Sequence, residues 1–179
     1  NTDGLGTFGA QIVVSTAAFG VQCVVVGDFN GDGHLDLASA GANTIAWYKN
    51  TDGLGTFGAQ IVVSTAASGA YSVVVGDFNG DGHLDLASAS VNDNKIAWYK
   101  NTDGLGTFGA QIVVSTAAIF AWSVAVGDFN GDGHLDLASA SEGDNKIAWY
   151  KNTDGLGTFG PQIVVSTAAS GARSVAVGD

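Results

Sequence analysis

The stretch Asp28-Phe29-Asn30-Gly31-Asp32-Gly33-His34-Leu35-Asp36, DFNGDGHLD, returns unchanged at Asp77–Asp85 and Asp128–Asp136, and a fourth copy opens at Asp179. Its spacing puts oxygen-bearing side chains at loop positions one, three, five and nine. A glycine stands at position six, where a calcium loop turns sharply. The side chains of Asp28, Asn30, Asp32 and Asp36, with the His34 carbonyl, are one expected ligand set. Asp77, Asn79, Asp81, Asp85 and the His83 carbonyl are the second; Asp128, Asn130, Asp132, Asp136 and the His134 carbonyl are the third. All these donors are hard oxygens, which favour Ca²⁺ over zinc or copper. The competing reading is a metal-free Asp/Gly turn.

An EF-hand is excluded. Loop position twelve is Ser39, Ser88 or Ser139 rather than a bidentate glutamate, and the flanks read as strands. Without that twelfth carboxylate, affinity is expected on the order of 10⁻⁴–10⁻³ M, suited to extracellular calcium. Three structural ions are expected. The histidines at position seven contribute backbone, not imidazole.

Working outward, 49 residues separate Asp28 from Asp77, and 51 separate each later pair. A period near 50 belongs to propeller blades and related arrays. Within the second repeat, four apolar runs read as strands between Gly/Asp/Asn/Ser turns: Ser72–Gly76, Leu84–Ser90, Lys95–Lys100 and Gln111–Thr116. No segment carries a useful helical period. The first and third runs are apolar on both faces, so each sheet must be covered on both sides, as stacked blades are. The expected fold class is all-β, a partial β-propeller over 1–179. Its repeats are 23–71, 72–122 and 123–173, with half-repeats at 1–22 and 174–179. With the four runs labelled A to D in chain order, three blades of four antiparallel strands, a leading D strand and a trailing A strand make fourteen. A closed propeller has four to eight blades, so further blades are expected from a longer chain or from other copies. The first residue is not methionine and the chain opens inside a repeat; this reads as a processed chain or a segment of a longer protein.

The combination of DFNGDGHLD with Phe-Gly in the next half-repeat (Phe57-Gly58, Phe108-Gly109) resembles the FG-GAP/VCBS repeat, the blade unit of integrin α-subunit propellers and of many secreted microbial proteins. The Gly-Ala-Pro part of that motif is replaced: Ala59-Gln60 or Pro161-Gln162 follows Phe-Gly. The resemblance implies a calcium-stabilised extracellular propeller used for adhesion or ligand recognition.

Composition narrows the partners. Net charge is −11, and the loops supply nine of the seventeen acidic residues. Three calcium ions would bring −11 to −5, so the acidity is mainly metal-site chemistry. Six Lys+Arg cannot build the basic face that nucleic acid requires. No apolar run reaches about 18 residues, so no membrane-spanning helix is expected. The single cysteine, Cys23, stands where later repeats have Ser72, Ser123 and Ser174, and reads as a small buried thiol.

GLGTFG, at Gly4, Gly53, Gly104 and Gly155, matches the dinucleotide pattern G-x-G-x-x-G. That pattern needs a following helix, and here QIVVST follows. The glycines read as turn residues, with Asp3, Asp52, Asp103 and Asp154 as solvated turn carboxylates. Trp47, Trp98 and Trp149, beside Tyr48, Tyr99 and Tyr150, read as packing between blades. No nucleophile–base pair stands apart from the metal loops, so an enzyme is not expected.

The copies differ mainly in the connections before the first strand and between the second and third. In a four-stranded meander these connections share one face, opposite the acidic loops. The row Gln22, Tyr71, Trp122, Arg173 lies there and includes residue types favoured at interaction hot spots. The expected function is a calcium-bound recognition scaffold with a protein or glycan ligand on that face. A purely structural repeat of a surface fibre, and a lectin, are the alternatives.

Overall fold

Each DLASA run alternates leucine and alanine across its two faces, and each IAWY run sets Ile and Trp against Ala and Tyr. In the computed structural model, which describes residues 5, 7 and 9–178, these runs become the two inner strands of three four-stranded sheets. The first sheet is β1 Val21–Gly27, β2 Asp36–Gly41, β3 Thr44–Tyr48 and β4 Ile61–Ser64. The second is β5 Ala70–Gly76, β6 Asp85–Ser90, β7 Lys95–Tyr99 and β8 Ile112–Ser115. The third is β9 Ala121–Gly127, β10 Asp136–Ser141, β11 Lys146–Tyr150 and β12 Ile163–Ser166. Every sheet is an antiparallel meander in chain order, and the described residues contain no helix.

The strand ends differ from expectation by one or two residues, for local reasons. β5 begins at Ala70 rather than Ser72 because a bulge at Tyr71 lets the pairing resume at Ala70↔Ser90. β6 begins at Asp85 because the acidic loop holds Leu84 out of the ladder. The expected flanking strands are not formed: 11–16 and 174–178 carry no strand pairing. Among the described residues, no strand stands beside either segment to complete a ladder. Asp3, Gly4 and Asp179 lie outside the described residues.

The core lies between sheets. Ala38, Ala40, Ile45 and Trp47 of the first sheet meet Val73, Leu86 and Tyr99 of the second. The same set recurs one blade on, with Ala87, Ala89, Ile96 and Trp98 against Val124, Leu137 and Tyr150. The small residues of one sheet receive the large ones of the next, as close packing requires. Burying each of these Val, Leu or Ile side chains contributes roughly 1.5–3 kcal/mol. The tyrosine hydroxyls find partners at this depth: Tyr99 lies 3.0 Å from Ser88 Oγ and accepts from Gln111 Nε2 at 2.9 Å. That gives Gln60, Gln111 and Gln162, two residues after each Phe-Gly pair, a structural task.

Candidate functional site

Two surfaces gather the residues singled out in the sequence. The first is the rim of acidic loops. In each, the position-one carboxylate caps its own loop. Asp28 accepts from the N–H groups of Gly31 (2.8 Å), Asp32 (3.2 Å) and Gly33 (2.8 Å), and Asp77 and Asp128 do the same. Asn30 Oδ1 accepts from Asp32 N–H and Asp32 Oδ1 from His34 N–H, a chain of side chain–backbone turns. Asn79, Asp81 and His83 repeat it, as do Asn130, Asp132 and His134. Gly31 and Gly33 have φ of 70° and 83°, the left-handed conformation that glycine adopts without strain.

The position-nine carboxylate is a clamp. Asp36 is fully buried; its Oδ2 accepts from Phe29 N–H at 3.1 Å and its Oδ1 from Asn50 N–H at 2.8 Å. Asp85 ties Phe78 to Asn101, and Asp136 ties Phe129 to Asn152. Burial raises the pKa of all three against these hydrogen bonds, with the other two loop carboxylates adding to the rise; Asp85 is pushed up to about 6. Asp85 shows the largest rise because its sheet is covered on both sides.

A lysine faces each loop, which the sequence reading missed. Lys49, Lys100 and Lys151 each stand 3.1 Å from the position-five carboxylates Asp32, Asp81 and Asp132. Burial acts to raise the Asp32 pKa, but the Lys49 ammonium and the His34 N–H outweigh it and hold it below the ordinary value. A Lys at the end of every IAWYK run was the available signal. The His34 ring lies beside its loop, Nδ1 3.4 Å from Asp32 Oδ1, and packs over Gly53, where an added Cβ would lie 2.6 Å from the ring.

Among the described residues, no three Asp, Glu, His or Cys side chains converge as a ready-made cation cage. The carboxylates are turned instead toward backbone N–H groups and lysine. The donor chemistry nonetheless fits a hard divalent cation: four side-chain oxygens per loop, three of them carboxylates near enough for their charges to reinforce one another on Asp36.

The G-x-G-x-x-G stretches are docking loops. A methyl group on Gly106 would run into the Trp47 indole of the preceding blade, and Gly157 stands in the same relation to Trp98. Phe108 meets Phe29 edge-on at 6.1 Å, and Asn101 Nδ2 donates to the Phe29 carbonyl at 2.8 Å. Asp52, Asp103 and Asp154 cap the turns internally; Asp52 Oδ1 accepts from Leu54 and Thr56 N–H.

The second surface is the opposite rim. Asn43 and Asn94 in the β2–β3 and β6–β7 turns accept from Gly69 and Phe120 N–H, so the two variable connections lie side by side. Gln22, Tyr71 and Trp122 each occupy the bulge of β1, β5 and β9. Such a bulge re-aims a side chain and is common beside functional sites. Tyr71 and Trp122 stack edge-to-face at 4.3 Å. Arg173 extends the row, its Cζ 4.7 Å above the Trp122 ring, and makes two hydrogen bonds to Glu142 at 2.8 and 3.1 Å. A cleft of about 270 Å³ opens beside Gln22, Tyr71, Asn92 and Trp122. Phe120 joins this rim at φ 54°, where Gly20, Gly69 and Gly171 occupy the same position in the other copies. The break in that glycine series was the signal for it.

The FG-GAP-like repeat model matches residues 28–88, 80–139 and 128–179. No curated protein matches the chain. Among solved structures, the chain is similar to one described as the basis of specific recognition of non-reducing terminal N-acetylglucosamine by an Agrocybe aegerita lectin. The identity is 24%, the TM-score 0.59, and the match covers 83% of this chain and 39% of that one. A V. cholerae biofilm matrix protein, Bap1, matches at 18% identity and TM-score 0.38 over 73% of this chain and 26% of its own. The chain thus spans about two fifths of the lectin's length. The repeat match runs through all three acidic loops and all three sheets: the chain belongs to the FG-GAP-like repeat family.

Proposed function

We propose that the chain is a non-enzymatic, calcium-stabilised recognition scaffold of the extracellular space that presents its ligand site on the bulged rim. The carrying observation is that the four repeat-variable residues Gln22, Tyr71, Trp122 and Arg173 form one continuous row, with three of them at bulges and the ring of Trp122 packed between Tyr71 and Arg173. Each acidic loop would hold one Ca²⁺ through Asp28, Asn30, Asp32 and Asp36, or their counterparts. The ion would neutralise carboxylates that otherwise repel one another. The weak affinity expected of such loops suits millimolar extracellular calcium.

A glycan is the ligand class the rim favours over a flat protein surface. The exposed Tyr71 ring borders a cleft that also carries the amides of Gln22 and Asn92, and the similar lectin is described as recognising a terminal sugar. The test is a glycan array read with and without Trp122→Ala and Tyr71→Ala, in calcium. Binding lost in both variants supports the reading; binding unaffected by either moves the site off this rim. Melting with calcium and with chelator tests the ion separately, and equal midpoints would remove it from the account.

A further inference from the structure

Each acidic loop already contains a cation of its own. Lys49, Lys100 and Lys151 place Nζ 3.1 Å from Oδ2 of Asp32, Asp81 and Asp132, the position-five aspartates. The other oxygen of each, Oδ1, accepts from the N–H of His34, His83 or His134. Oδ2 is therefore the oxygen that the backbone leaves to a cation, and the lysine takes it in all three copies. The loop fixes where that lysine stands. The Lys49 carbonyl accepts from Gly58 N–H at 2.8 Å, and the next residue, Asn50, donates its N–H to Asp36 Oδ1 at 2.8 Å. Lys100 and Lys151 are held in the same way by Gly109 and Gly160, with Asn101 on Asp85 and Asn152 on Asp136. The middle copy, whose sheet has a neighbour on each side, shows the arrangement as the outer two do. Lys95 and Lys146, on the opposite rim, differ: each meets one aspartate, Asp93 or Asp144, at 2.9 Å. In the acidic loops one ammonium faces three aspartates. Two negative charges stay unbalanced, the charge that one divalent cation neutralises.

We propose that Lys49, Lys100 and Lys151 are tethered competitors for the ion: each holds the position-five aspartate of its loop in the metal-free protein and gives it up when a divalent cation enters. The inference rests on the calcium reading above and adds the residue that sets the affinity of each site. Affinity of an all-oxygen site follows its count of ligand charges, and the lysine offsets one of them. An ammonium is a compact charge on a flexible four-carbon stem, so it can leave Oδ2 for water while the strand that carries it stays in place. The Lys100 side chain is 41% exposed, which leaves it that path. As an exposed pair it adds little to stability by itself; its effect falls on the exchange of one cation for another. The lysine thereby moves loading toward higher calcium without being a ligand.

The test is a calcium titration of the full chain followed by the amide resonances of each loop, in the wild type, Lys100→Met and Lys146→Met. Gly80 and Gly82, whose N–H groups are held by Asp77, report the second loop; Gly31, Gly33, Gly131 and Gly133 report the other two in the same molecule. Lys100→Met is expected to tighten calcium binding at the second loop about tenfold and to leave the first and third at wild-type affinity. Lys146→Met removes the same charge from the opposite rim and should leave all three loops unchanged. Equal affinity at the second loop in Lys100→Met and wild type would overturn the proposal while leaving the calcium sites in place. Equal tightening in Lys146→Met would reduce the effect to net charge and overturn it as well. Loop amides that stay unmoved through millimolar calcium in every protein would remove the calcium reading, and this inference with it.

Discussion

At the scale of single residues, the fold keeps two costs that the repeats expose. Phe120 holds a left-handed backbone conformation at a position where the three other copies have glycine. A non-glycine residue there costs roughly 1–2 kcal/mol, and the half-exposed ring recovers little by burial. Phe120→Gly should therefore raise stability by about 1 kcal/mol in urea denaturation while weakening any ligand held on that rim. A gain without loss of binding would reduce Phe120 to drift. The second cost is Asp85, whose pKa burial raises to about 6 from 3.8. Between those values the folded chain binds more protons than the unfolded one, so stability falls as pH rises through the window and levels above it. The metal-free chain should melt higher at pH 5 than at pH 7.5, and Asp85→Asn should flatten that slope. Bound calcium, which needs the ionised form, should reverse it. A chelated protein whose stability rises from pH 5 to 7.5 contradicts this account.

At the scale of elements, the C–D loop shows what a single chain's repeats can and cannot disclose. Strand identity was legible in the alternation of LDLASA and IAWY, and loop chemistry in DFNGDGHLD. The two flanking strands were read from the same patterns, yet 11–16 and 174–178 do not pair, because a strand requires a ladder neighbour as well as a sequence. The bulges at Gln22, Tyr71 and Trp122 follow from pairing register, which period-two alternation does not carry. The lysine at each acidic loop was equally hidden, since Lys49 and Asp32 meet only after the meander folds. The GLGTFG glycines were read as turn punctuation, but half of their purpose lies on the neighbouring blade. Gly55 and Gly106 share a left-handed conformation, φ 97° and 87°, yet only Gly106 lies beneath an indole. Alanine at either position incurs the backbone cost. At Gly106 it also forces Trp47 aside, an overpacking cost of about 1–3 kcal/mol. Gly106→Ala should thus lose that much more stability than Gly55→Ala in chemical denaturation. Equal losses would mean that the loop does not dock as described.

At the scale of the whole molecule, three near-identical sheets in a row form a one-dimensional array in which position, rather than sequence, sets stability. β6 and β7 have a covered sheet on each side, whereas β2–β3 and β10–β11 are each covered by a neighbouring sheet on one face. Each carries almost the same residues, so intrinsic propensity cancels and the difference that remains is interface. Amide exchange opens proteins in cooperative units whose protection follows their burial and contacts. In the metal-free chain, the amides of Leu86–Ser90 and Ile96–Tyr99 should exchange more slowly than their counterparts in the first and third sheets. Calcium should raise protection first at Gly31, Gly80 and Gly131, whose N–H groups are held by the position-one carboxylates. Uniform exchange across all three sheets in dilute protein would show that the array unfolds as one unit and that the open faces carry no penalty.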